Sequence, residues 1–159
     1  ARPQSGKLFL LGAVLVLYGA AIRLWASGYL VKLDRVTTEG PYAKVRNPLY
    51  IGTFFSASGV CLVSQSAWAW GAHLLFFLLV YPPTIRAEEA ELEKKFGDEY
   101  RAYKAAVPRF IPALFSGGLP FRGKIDPAVF RRNKEWLGLA GWLVVLLVLH
   151  LVRLGVFAR

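Results

Sequence analysis

The chain has 159 residues, 55% of them hydrophobic, and its 20 Lys and Arg outnumber its 10 Asp and Glu to give a formal charge of +10. Its mean hydropathy is positive, which argues against a soluble globular protein and for one all-α membrane domain over 1–159, with no room for a second. The charge would suit nucleic acid, but the long apolar runs point instead to basic loops gathered on the cytoplasmic side of a bilayer. The one cysteine, Cys61, excludes an internal disulfide and, without a Cys/His cluster, a structural zinc site.

Residues 8–26 are apolar for long enough to cross a bilayer core, which takes about 20 residues. Arg2 and Lys7 ahead of this run and the small residues after it resemble a signal peptide, but the run is too long for one. Arg23 is expected to snorkel to the interface beside Trp25 and Tyr29.

The loop that follows carries Lys32, Arg35, Lys44 and Arg46 against Asp34 and Glu39, and residues 84–135 carry eleven Lys or Arg. Both segments are therefore expected on the cytoplasmic side. Gly40 and Pro41 signal a turn, and residues 42–46 a short helix that must stop where Pro48 biases Asn47 out of the α region. Asn47 as N-cap and Pro48 at the first position then open a new helix.

Ser64-Gln65-Ser66 reads as the tip of a helical hairpin with arms at about 49–63 and 67–83, on the side opposite the basic loops. Gly52, Ser56, Ser58 and Gly59 would let neighbouring helices approach closely. Pro82-Pro83 is expected to kink or end the second arm. Beyond it, Ile85, Leu92, Phe96, Tyr103 and Val107 recur at helical spacing, with Glu88 close to the same face. Gly97-Asp98 signals a break and a short helix from Glu99 to Ala106. Residues 107–127 form a loop, Asp126-Pro127 repeats the cap-and-start signal, and Arg131, Arg132 and Lys134 make a basic interfacial turn before a last span at 136–157. His73 is expected to make an interhelical hydrogen bond. His150 and Arg153 are expected to lie near the far interface, away from the polar motifs.

Arg46-Asn47-Pro48-Leu49-Tyr50-Ile51-Gly52, a hydrophobic stretch and Glu88-Glu89 follow one another in the order found in one superfamily. Phe96-Gly97-x-x-Tyr100-x-x-Tyr103 and Val107-Pro108-Arg109-Phe110-Ile111-Pro112 extend the likeness, so that it runs from Asp34 to Pro112. In this respect the chain resembles the isoprenylcysteine carboxyl methyltransferases and phospholipid N-methyltransferases. It departs from them at Asn47, where the family usually has His, which rules out acid-base work at that position.

The resemblance implies an integral membrane methyltransferase with about four transmembrane helices and S-adenosyl-L-methionine as cofactor. It also implies that the segment Asp34, Arg35, Val36, Thr37, then Tyr42, then Asn47, Pro48, Leu49 and Tyr50, and Glu88 line the cofactor site. Residue chemistry is compatible: a carboxylate at Glu88 or Glu89 suits the cofactor's ammonium, Asn47 its polar atoms, and Tyr42, Tyr50 and Tyr100 a pocket wall. No Gly-x-Gly loop follows a strand, which argues against a soluble nucleotide-binding methyltransferase.

The expected acceptor is a membrane lipid or prenylated small molecule. If its nucleophile is the carboxylate of an isoprenylcysteine, an arginine must orient it, with Arg86 the first candidate and Arg109 the second. If it is the amine of a phospholipid headgroup, a base such as Glu89 must take a proton. The reaction centre is expected to face the cytoplasm between the hairpin and residues 84–112. A non-catalytic membrane scaffold or lipid-binding protein is the alternative of another class.

Overall fold

In the computed structural model, residues 5–31, 34–113 and 118–156 are described. Arg2, Lys32 and Phe157, used above in reading the chain ends and the first basic loop, lie outside them. The described residues form six α-helices and no strand, the architecture of an all-helical integral membrane protein. Three of the helices, α1 (Gly6–Ser27), α3 (Ala67–Phe96) and α6 (Glu135–Arg153), are long and apolar enough to cross a membrane. Between the first two lies the shorter apolar α2 (Pro48–Ser64), and α4 (Asp98–Ala106) and α5 (Pro127–Asn133) are short polar helices.

The tightest packing is between α1 and α2, and small residues cause it. Gly12 and Gly19 on α1 face Gly59 and Gly52 on α2, each pair two helical turns apart in its own helix. A Cβ on Gly52 would fall 2.6 Å from the Gly19 carbonyl oxygen, and one on Gly12 2.6 Å from that of Gly59. With no side chains in the way, the backbones touch, and Ser56 Oγ donates to the Val16 carbonyl at 3.0 Å across the seam. Ser56 and Val16 are both fully buried. This is the close approach expected from the small residues of α2, a packing mode favoured where lipid supplies no hydrophobic drive between helices. Buried Val16, Val63 and Leu146 then join α6 to the pair.

The hairpin tip is where the sequence places it. Gln65 takes the left-handed conformation that ends α2, and Ser66 Oγ accepts from Ala69 N at 3.4 Å to cap α3. The two arms meet through a row of rings, with Phe54 against His73 and Phe77, and Tyr50 against Tyr81. Ser58 Oγ and His73 Nε2 share a hydrogen bond at 3.1 Å, the interhelical role expected of His73. At the other end of α6, His150 and Arg153 both pack on the Phe9 ring of α1.

Four expectations need correction. The helix does not end at Pro82-Pro83: α3 runs through both for 30 residues, so Glu88 and Glu89 stand on a continuation of the hairpin arm. Exposed Thr84 donates its hydroxyl to the Val80 carbonyl at 2.7 Å, in the turn where the prolines remove two donors. Residues 42–46 are not an α-helix; a 3-10 turn occupies Gly40–Ala43 instead. Asn47 stands at the N-cap of α2, but its side chain makes no cap. Arg23 does not snorkel outward; it turns inward to Glu135 of α6. By contrast, Asp126 caps α5 as read, its Oδ1 accepting from Ala128 N at 2.8 Å and Val129 N at 3.3 Å.

Because the α1–α2 seam has no room for a methyl group, Gly52→Ala and Gly59→Ala are each expected to lower stability by about 1–3 kcal/mol, the usual cost of overpacking. Gly71→Ala, a site with nothing within 4 Å, is the matched control expected to change little. Thermal unfolding of the purified protein in detergent checks this.

Candidate functional site

Ile85, Glu89, Leu92 and Phe96 form one stripe of α3, and Ile85 and Glu89 are its buried members. The inward carboxylate is thus Glu89, one position after the Glu88 expected from the sequence. Glu89 Oε2 accepts from Arg109 Nη2 at 2.5 Å, Oε1 accepts from Arg109 Nε at 3.3 Å, and Arg46 Nε lies 3.3 Å from Oε1. A carboxylate only 4% exposed would be costly alone, and two guanidinium groups compensate it. Arg46 also donates through Nη1 to the Lys104 carbonyl at 3.1 Å.

These ion pairs sit in a wider stitching of the Gly40–Pro48 turn to residues 103–119. Arg46 N donates to the Pro108 carbonyl at 2.9 Å, Ala113 N to that of Lys44 at 2.9 Å, and Leu119 N to that of Ala43 at 2.8 Å. Asn47 Nδ2 donates to the Arg109 carbonyl at 3.2 Å, so the side chain is turned toward residue 109 and makes no cap on α2. The Tyr103 hydroxyl donates to the Tyr42 carbonyl at 2.8 Å. Val36, Tyr100, Tyr103 and Val107 make a small apolar core beneath.

This framework surrounds a cavity of about 470 Å³, within the usual range of about 300–1,000 Å³ for small-molecule sites. Of the residues singled out from the sequence, Arg35, Val36, Thr37, Tyr42, Asn47, Pro48, Leu49, Tyr50, Glu88, Glu89 and Tyr100 line it. Three others do not. Asp34 is exposed and lies 3.6 Å from Arg132; Arg109 stands behind Glu89; Arg86 is on an exposed face of α3 away from the cavity. Leu30, Val31, Arg46, Glu91, Leu92 and Tyr103 also line the wall.

Arg23 and Glu135 complete the wall, and the sequence reading missed the pair because 112 residues separate them. Arg23 makes a two-pronged contact with the Glu135 carboxylate, at 2.8 to 3.0 Å, while its other nitrogen donates to Thr53 Oγ1 and to the Leu49 carbonyl. One guanidinium thereby joins α1, the start of α2 and the start of α6. The available signal was paired charge at the ends of two apolar runs.

Polar atoms facing the cavity fall into two kinds. Those of Arg23, Glu135, Arg46 and Glu89 are already paired within the wall. Glu88 and Glu91 have no cationic partner among the described residues, and Glu88 Oε1 accepts from the Tyr50 hydroxyl at 2.7 Å. The Tyr42 hydroxyl is buried with no hydrogen-bond partner among the described residues. Burial first, and then the charge of Glu89, pushes the Tyr100 hydroxyl up to about 12, and burial raises Tyr42 and Tyr103 further. All three phenols therefore stay protonated at neutral pH and act as donors. Among the described residues no group of three or more His, Cys, Asp or Glu could hold a metal ion.

Residues 6–99 match the family described as phospholipid methyltransferase, and these are more than half of the chain. The chain belongs to this family. It sits in the wider superfamily that includes the isoprenylcysteine carboxyl methyltransferases, as two relatives show. Protein-S-isoprenylcysteine O-methyltransferase of Schizosaccharomyces pombe is 37% identical over 82 residues, covering 50% of this chain and 34% of the relative. That of Xenopus laevis is 26% identical over 131 residues, covering 70% and 43%. A nickel-cobalt-cadmium resistance protein of Alcaligenes xylosoxydans xylosoxydans is 32% identical over 112 residues, covering 69% and 52%. The chain thus spans about half the length of these relatives, or less. No solved structure gives a significant match. The family match includes α1, the Gly40–Pro48 turn, the hairpin and Glu88-Glu89, and stops before Arg109, which stands behind Glu89, and before Glu135, which completes the wall.

The two adjacent glutamates are expected to separate cleanly. Glu89→Ala strands two guanidinium groups and should cost about 3–5 kcal/mol, the range for breaking a buried ion pair from one side. Glu88→Ala, at an exposed position, should leave the melting temperature nearly unchanged. Thermal unfolding of both variants in detergent measures the difference.

Proposed function

We propose that the chain is an S-adenosylmethionine-dependent methyltransferase that acts on a lipid-borne acceptor at the membrane surface. The observation that carries this reading is the meeting of the Asn47–Tyr50 turn and the Glu88-Glu89 pair around one cavity, with the Tyr50 hydroxyl on the Glu88 carboxylate. The cavity also fits the cofactor chemically. Its uncompensated carboxylates, Glu88 and Glu91, suit an ammonium and a sulfonium, and the buried, unpartnered Tyr42 hydroxyl offers a donor to a polar ligand atom.

When bound, the cofactor supplies a methyl group on a positively charged sulfur, which departs with the electron pair of the broken bond. The chain's own work is then placement and exclusion of water, effects worth up to about 7–11 kcal/mol. Glu88 holds the cationic end, Tyr42 and Tyr50 fix polar atoms, and Val36, Leu49 and Leu92 supply apolar wall. Glu89 acts as a positioning residue through Arg46 and Arg109; with both its oxygens engaged it is poorly placed to serve as a base.

The acceptor we favour is the carboxylate of an isoprenylcysteine-type lipid, in line with the two named methyltransferase relatives. Such a nucleophile arrives ionised and needs no base. Arg46, which lines the cavity in the Arg46-Asn47-Pro48 turn, is better placed than exposed Arg86 to orient it. The ring row of Tyr50, Tyr81, Phe77 and Phe54 leads from the cavity between the hairpin arms and offers an apolar approach from the bilayer. A second reading, methylation of a phospholipid amine, is favoured by Glu88 and Glu91, because a carboxylate without a cationic partner suits an amine. The basic segments flanking the cavity support a cytoplasmic-facing site.

Purified protein is expected to bind labelled S-adenosylmethionine, and Glu88→Gln to weaken that binding by at least about tenfold, as for loss of a charge-assisted contact. Absence of binding by the wild type at millimolar cofactor would favour a non-catalytic membrane protein. With a panel of prenylcysteine and phospholipid acceptors, the product should be a base-labile ester; a base-stable methylamine would transfer the assignment to the amine reading.

A further inference from the structure

Residues 121–134 form a strap beyond the family match, and its charge is not used by the cavity. Arg122, Lys124, Arg131, Arg132 and Lys134 are all exposed on it. The carboxylates nearby offset only part of this charge. Asp126 caps α5, Asp34 lies 3.6 Å from Arg132 in an open pair, and Glu39, which reaches Gly123, is held by Arg35 at 3.1 Å. The strap therefore has a strong excess of positive charge.

Its position is fixed by the ends of two spans. Asp126 N donates to the Gly28 carbonyl at 3.0 Å, and Asn133 Nδ2 donates to those of Ser27 and Leu30, each at 2.8 Å. Ile125 fills the space beside Gly28, where a Cβ would lie 2.7 Å away. At its end Lys134, in the left-handed conformation, turns the chain sharply into α6. Trp25 at the end of α1 stacks on Phe121 at 5.9 Å, and Trp136 opens α6. Phe121, Ile125, Trp25 and Trp136 are exposed apolar groups interleaved with the cations.

Indole rings at span ends mark the level of lipid headgroups. Here the apolar groups suit acyl chains and the cations suit the phosphate beside them. We infer that residues 121–134 are a binding platform for the headgroup of an anionic phospholipid, held against the same Leu30 that lines the cavity. This stands whether or not the chain transfers methyl groups.

The test uses the full chain purified in detergent and quenching of its tryptophan fluorescence by brominated lipids, since Trp25 and Trp136 flank the platform. Brominated phosphatidylglycerol is expected to quench at about tenfold lower mole fraction than brominated phosphatidylcholine, a modest share of what several near-surface cations can supply. K124Q/R131Q/R132Q should bring the two curves together, while the charge-keeping R131K/R132K should retain the preference. K94Q/R101Q, which removes exposed cations elsewhere, should also retain it. Equal quenching of the wild type by both lipids, or equal loss of preference in K94Q/R101Q, would overturn the proposal. So would abolition of the preference by millimolar inorganic phosphate, which would show a site for free anions.

Discussion

A carboxylate buried among apolar groups stays charged only with partners that compensate it, and for Glu89 these come from two other parts of the chain. Arg46 precedes the hairpin and Arg109 follows α4, so one side chain on α3 ties three segments to a single point. The surrounding backbone hydrogen bonds, from Arg46 to Pro108 and from Ala113 to Lys44, depend on the same registration. The cavity is what remains open above this junction. Glu88 lines it and accepts from the Tyr50 hydroxyl, while the inward-facing Glu89 carries the paired charge.

A second constraint sets the opposite wall. Glycine on both sides of the α1–α2 seam lets two backbones touch, and that depth of contact brings Arg23 to the Leu49 carbonyl and to Thr53 in the first two turns of α2. Glu135 can then reach Arg23 from α6. Two kinds of physics thus converge at the membrane boundary: close van der Waals packing without side chains in the apolar layer, and paired charges where the helices emerge. The charges of Arg23, Glu135, Arg46 and Glu89 in the wall are matched, and Glu88 and Glu91 stand out as its carboxylates without a cationic partner among the described residues.

Much of this was legible in residue order. The apolar runs, the Asn47-Pro48 helix start, the Ser64–Ser66 tip, the Asp126 cap and the small residues of α2 each carry a local signal, because turns, caps and close packing depend on neighbours a few residues apart. The polar clusters around Asn47 and Glu88 were recognisable as parts of one superfamily pattern. What local rules misjudged were cases where a distant partner competed. Asn47 has the chemistry of a cap, yet its side chain is turned to the Arg109 carbonyl and makes no cap, and the Pro82-Pro83 pair did not stop a helix that is anchored beyond it by buried Ile85 and the ion pairs of Glu89.

The sequence by itself determined that this is a helical membrane protein with a basic boundary layer and a polar turn ahead of a hairpin, since hydropathy, charge and turn chemistry act along the chain. Only the tertiary structure decided which of two adjacent glutamates turns inward and that Arg23 faces Glu135 and not the lipid. It also placed Arg86 outside the cavity that Arg46 enters. A helix advances about 100° per residue, so a shift of one position exchanges a buried, paired carboxylate for an exposed one, and the pairing of charges from remote segments fixes that phase.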